Sequence, residues 1–144
     1  MNIVEKVKSI VENFPKISQL GVIHTDLTGE EPGSCGLSAL GNALLSEDIL
    51  GNQQRQHTFM LHAVFSAVND FERLSNSGLL LELAQYLDAC CGEEITHEID
   101  GVAHSGVITK ITTAGGTLSA IPDGTTVRGW WYQLQITAIY TLEN

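Results

Sequence analysis

The hydrophobic positions change period along the chain, and each change marks an element. Ile3, Val4, Val7, Ile10, Val11 and Phe14 recur at helical spacing between Glu5, Lys6, Lys8 and Glu12, which predicts an amphipathic helix ended by Pro15. Gly21 to Leu27 predicts a short strand. The glycines, proline and paired glutamates of Thr28 to Cys35 predict a loop. From about Gly36 to Leu50, Gly36, Gly41 and Asn42 oppose a helix interior, so a strand is expected, turning at Gly51-Asn52. The return strand is Gln53 to Val68, where Phe59, Leu61, Ala63 and Phe65 alternate with Thr58, Met60, His62, Val64 and Ser66. Asn69 and Glu72 have capping-box spacing and open a second helix. Its stripe is Phe71, Leu74, Gly78, Leu80, Leu81, Leu83, Ala84 and Leu87, and it is expected to run to about Cys91 with Gly92 as its C′ residue. Gly78 is expected to admit a close backbone neighbour.

Beyond that helix, Glu93 to His104 is polar and predicts a partly extended loop. Val107 to Thr113 and Thr117 to Ile121 predict a hairpin around Gly115-Gly116, followed by a turn at Pro122-Asp123-Gly124. The last strand, Gly129 to Leu142, has the cleanest alternation. Trp130, Tyr132, Leu134, Ile136, Ala138, Tyr140 and Leu142 face one way, while Trp131, Gln133, Gln135, Thr137, Ile139 and Thr141 face the other. The order is α–β–β–β–α–β–β–β in a single domain, residues 1–144. It predicts an α+β fold, a two-layer, mostly antiparallel (mixed) sheet with two main helices packed on one face.

Charge narrows the function classes. The 144 residues carry a net charge of −10 with only seven basic side chains, and these are scattered. No basic stripe exists to neutralise a run of phosphates or an anionic membrane surface. The three cysteines, Cys35, Cys90 and Cys91, are odd in number and include a neighbouring pair, which predicts free thiols in a reducing compartment. No apolar run approaches the roughly 18 residues of a membrane span, and the N-terminus lacks a signal-peptide core, so a cytoplasmic origin is expected.

Catalytic signatures are weak. His24 and Asp26 share a strand face, which is the ordinary look of a polar face. Glu93, Glu94, His97, Glu98, Asp100 and His104 have the side chains of a zinc site but no recognised ligand spacing, and a solvated loop accounts for them better. Cys90-Cys91 lie at a helix C-terminus beside two glutamates, the wrong field for a thiolate. Nucleophile-elbow, phosphate-loop and dinucleotide motifs are absent from the sequence. No catalytic residue, cofactor or metal is expected. Interaction signals are better. Trp130-Trp131 places an indole on each sheet face, two long hairpins are expected, and Arg55 and Arg73 bracket the core strand of an acidic chain.

Three segments carry a resemblance: Met1 to Pro15; Glu47 to His57 together with Asn69 to Leu74; and Tyr132 to Tyr140. They resemble the minor capsid or tail-completion proteins of phages and prophages of Gram-positive bacteria, and through them the tail terminators. The resemblance implies a non-enzymatic virion protein, made in the host cytoplasm, that forms a homo-hexameric ring. That ring caps the tail tube, stops its polymerisation and meets the head–tail connector or stopper, and in a contractile tail the sheath. DNA would pass through its lumen without specific binding, and no membrane is involved. Other neck or head-completion roles, or the cap of a headless tail-like particle, are the alternatives. A metal-dependent enzyme using His97, Glu98, Asp100 and His104 is the remote one. The candidate interface is Gly51, Asn52, Arg55, His57, Arg73, Trp131, Gln133 and Gln135.

Overall fold

The two segments with the strongest period-2 pattern pair with each other at the centre of the sheet. β3 (Gln53–Phe65) and β6 (Trp130–Leu142) run antiparallel in unbroken register from Gln53↔Leu142 to Phe65↔Trp130. The computed structural model describes residues 1–20, 22–25, 34–65, 70–120 and 130–144, with backbone alone at 22, 34, 70–73, 116–120 and 130. β2 (Ser34–Glu47) pairs with the free side of β3, and β5 (Val102–Ala120) with the free side of β6. β1 (Val22–Thr25) adds parallel to the start of β2, and β4 (Glu94–Ile99) adds antiparallel to β5. The order is β1-β2-β3-β6-β5-β4.

The fold is therefore mostly β, a single mixed six-stranded sheet curled into a half-barrel. This overturns the expected α+β two-layer arrangement. Bulges bend strands and raise their twist. β2 breaks register at Ala39/Gly41 and Leu44/Ser46, and β5 breaks it at Ile108/Lys110, Gly115/Thr117 and Leu118/Ala120. Both long outer strands so bend around the central pair. α1 (Ile3–Glu12) and α2 (Asp70–Asp88) contribute to the hydrophobic cluster that the sheet encloses, through Ile3, Val7, Ile10 and Val11 of α1 and Leu79, Leu80, Leu83 and Leu87 of α2. The sheet supplies Phe59, Leu61, Tyr132, Leu134, Ile136, Ile108 and Ile111, among others. Tyr86 ties the helices together: its hydroxyl donates to Ile10 O at 3.1 Å, and its ring lies 5.4 Å from Phe14.

Several local expectations change. The polar stretch from Glu94 is a strand, and the second hairpin turns at Asp100-Gly101, where φ is +51 and +79. Two successive positive φ values are what a tight two-residue hairpin turn requires, and Asp-Gly is a preferred pair for it. Gly115-Gly116 is not a turn. β5 runs through it, and Gly115 (φ +96) absorbs the bulge that shifts the register. α2 ends at Asp88, so Gly92 is not its C′ residue. Gly92 (φ +82) instead turns the chain into β4, its N–H bonding Ile108 O at 2.8 Å. A Cβ on Gly78 would meet nothing within 4 Å, so no backbone approaches there, and Leu74 and Leu81 of the expected stripe are exposed. The Asn69 cap, Asp26, most of the 28–35 loop and the turn at Pro122 lie outside the described residues, and the Glu72 side chain does too.

Candidate functional site

The β2–β3 hairpin carries the features that packing alone does not use. β1 covers only Ser34 to Leu37 of the outer edge of β2. From Ser38 to Glu47 that edge has no strand partner among the described residues, which leaves a row of backbone groups open to pairing. Leu40, Leu44 and Leu45 on this arm are exposed, and at the tip Ile49 and Leu50 are 101% and 70% exposed. Isolated exposed apolar residues are ordinary, but five concentrate on this one hairpin, a density of the kind found at interfaces.

The tip is built by Asp48. Its carboxylate accepts from Leu50 N (2.9 Å), Asn52 N (2.9 Å) and Asn52 Nδ2 (3.1 Å), while Gly51 N donates to Asp48 O at 3.1 Å. Gly51 sits at φ +87. A side chain there would strike Asn144, whose amide donates to Leu50 O at 2.8 Å and whose N–H donates to Asn52 Oδ1 at 2.9 Å. Asn144 thus clamps the turn. The Asn52 N–H is the largest cause holding the Asp48 carboxyl below its ordinary value, opposed by desolvation and helped by the Asn52 amide and Leu50 N–H. A depressed folded-state pKa gives stability that is present above the ordinary carboxylate range and lost as pH falls through the lowered value. In Asp48→Ala the amides of Leu50 and Asn52 are expected to exchange faster with deuterium than in the wild type at pH 6. The difference should disappear in strong acid; an equal rate at pH 6 would remove Asp48 from the turn's support.

The eight predicted interface residues do not gather into one patch. Gly51 and Asn52 are at the tip. Arg55 and His57 share the parity of Phe59 and Leu61, so they lie on the inner face of β3, both partly buried. Trp131, Gln133 and Gln135 lie on the outer face of β6, opposite Val64, His62 and Met60 in register. There His62 approaches Trp131 edge-on at 6.4 Å, and burial lowers the His62 pKa. Arg73 is on α2, its side chain outside the described residues.

The inner-face pair belongs to a polar network. Arg55 Nε donates to Gln53 Oε1 at 2.7 Å and Nη1 to Asn42 Oδ1 at 2.8 Å. The Asn42 amide meets His57 Nδ1 at 3.0 Å and donates to the Tyr140 hydroxyl. His57 stacks on Phe59 at 4.7 Å, and burial lowers its pKa. The network borders a cavity of about 340 Å³ that also touches the first turn of α1 and His97 and Ile99 of β4. Asn42, Tyr140, Asp48 and Asn144 were not singled out by pattern. The available signal was parity: Gln53, Arg55 and His57 continue the core-facing positions of β3 with polar side chains.

The remaining chemical candidates separate. His97 and His104 face each other directly across β4 and β5, but Glu98 alternates to the other face and Asp100 is in the turn. His104 Nδ1 lies 2.9 Å from Glu143 O. Among the described residues no group of three or more His, Cys, Asp or Glu side chains could hold a metal. Burial pushes the Cys35 thiol up to about 12 and raises that of Cys90, which keeps both protonated at neutral pH. No helix among the described residues is long and apolar enough to cross a membrane. The sequence matches no protein-family profile and no curated protein.

Proposed function

We propose that this chain is a non-enzymatic assembly subunit, a phage tail terminator that caps the tail tube and forms the tail side of the head–tail junction. The observation that carries the reading is the β2–β3 hairpin, whose edge over Ser38–Glu47 has no strand partner among the described residues and whose Leu40, Leu44, Leu45, Ile49 and Leu50 are exposed. An open edge and an apolar tip at one end of a sheet form a heterologous contact, the kind that closes into a ring when the rotation between subunits allows. The resemblance in Glu47 to His57 falls on the same hairpin. The acidic balance suits a ring through which DNA passes without adhering. The partners are then further copies of the chain, the tube subunit and the head-side connector. The site of action is the neck of the virion, after assembly in the host cytoplasm.

Native mass spectrometry and negative-stain imaging test the assembly. The wild type is expected to form closed rings, and Ile49→Asp combined with Leu50→Asp to leave a folded monomer with unchanged circular dichroism. A wild type that stays monomeric at every concentration, and rings that survive the double substitution, would each remove the hairpin from the interface. Deleting the gene tests the finer role: overlong tail tubes are expected. Finished tails without heads would assign the chain to the head-side neck instead.

A further inference from the structure

We propose that the cavity beside Arg55 is a receptor for a carboxylate carried on a short apolar chain. The hydrogen-bond polarity of its wall follows from Arg55. A guanidinium only donates, so the Asn42 atom 2.8 Å from Nη1 is the carbonyl oxygen. The Asn42 nitrogen then faces His57 Nδ1 and the Tyr140 hydroxyl, and an amide nitrogen also only donates. His57 Nδ1 is therefore an acceptor, and the neutral ring carries its proton on Nε2. Burial favours that neutral ring. Nε2 is itself buried and has no hydrogen-bond partner. Tyr140, 4% exposed, accepts from Asn42 and so keeps its own O–H proton to donate.

Arg55 adds the charge. Two of its N–H groups are engaged by Gln53 and Asn42; among the described residues the others have no hydrogen-bond partner and no carboxylate lies within ion-pair distance. The lysines of the N-terminal region are different: Lys6, Lys8 and Lys16 pair with Glu93, Glu12 and Glu82. Glu5 and Glu98 line the neighbouring cavity, not this one. A partly buried cation beside a tyrosine with a proton to give calls for one anionic acceptor. One guanidinium balances a single negative charge, which fits a carboxylate better than a phosphate dianion. Ile3, Val4, Ile99 and Leu142 form the apolar remainder of the wall and fit the chain behind the carboxylate.

Two sources supply that chemistry: a free small carboxylate, or an acidic side chain of a second copy. The inference does not require the ring. Butyrate is the probe, followed through the His57 ring and Tyr140 resonances by NMR at protein concentrations below and above self-association. Saturable binding of butyrate is expected, with butyramide at least tenfold weaker. Arg55→Met is expected to weaken butyrate at least tenfold, and Tyr140→Phe, which keeps the buried ring, by a smaller factor. Butyrate retained after association identifies a free ligand, and butyrate expelled on association identifies the side chain of a second copy. No saturable response at either concentration, equal binding of butyramide, or unchanged affinity in a folded Arg55→Met protein would overturn the proposal.

Discussion

Phe59→Ala lowers the stability of the folded chain by about 3–5 kcal/mol, read from the denaturant midpoint, or roughly 10 °C in melting temperature. Phe59 is fully buried at the middle of β3. It faces Ala39 on β2 and Ile136 on β6, and Ile136 is equally buried. The ring is thus the largest fully buried side chain where the inner faces of three strands meet the helices. Truncation removes its transfer free energy and leaves a void. The sheet cannot close that void, because β3 is hydrogen-bonded on both sides over most of its length. The adjacent Met60 faces outward and is partly exposed, so Met60→Ala is expected to cost far less. The ring also supports His57, so the His57 resonances should broaden in Phe59→Ala. If Phe59→Ala and Met60→Ala cost the same, the assigned parity of β3 is wrong.

Gly106→Ala has the next largest effect, about 3 kcal/mol, the upper end of what overpacking a strand usually costs. Gly106 is buried on β5, between Ile95 of β4 and Leu142 of β6. An added Cβ would run into the carbonyl oxygen of Thr141 and would also meet Leu142 Cδ2 at 3.0 Å and Ile95 Cγ1 at 3.1 Å. A side chain tip can rotate away, but a backbone carbonyl held in the sheet moves only with its strand. The expected consequence is local loss of β5–β6 pairing, visible as faster amide exchange near Leu142, together with the lower unfolding midpoint. Gly41→Ala is the matched control, since a Cβ there meets nothing within 4 Å. A Gly106→Ala protein as stable as Gly41→Ala would mean that β5 and β6 do not approach this closely.

Among the elements, those set by local periodicity were legible from the chain alone. The stripe of α1 is buried as its spacing predicts, at Ile3, Val7, Ile10, Val11 and Phe14. The inner and outer faces of β6 follow the alternation from Tyr132 to Leu142. A hairpin between β2 and β3 was visible near Gly51-Asn52, but not as the expected two-residue turn after a strand to Leu50: β2 ends at Glu47, and the longer connection, residues 48–52, is held by Asp48 and Asn144. Asp100-Gly101 was equally readable as a turn, but the polar residues around it masked two exposed strand faces.

The sequence by itself determined that there are two main helical segments, though not where the second ends, which faces of β3 and β6 are apolar, and that the chain is acidic. These depend on neighbours within a turn or two of chain, and on composition. The tertiary structure alone decided the rest. That the sheet curls into a half-barrel, instead of lying as one layer beneath two helices, depends on bulges whose register is defined only by the partner strand. The clamp of Asn144 on Leu50 spans 94 residues, and the bond from Asn42 to Tyr140 spans 98. No local pattern encodes which distant polar group meets Arg55 or His57. That meeting exists only once β2, β3 and β6 lie side by side, because strand pairing brings together residues that the chain itself keeps far apart.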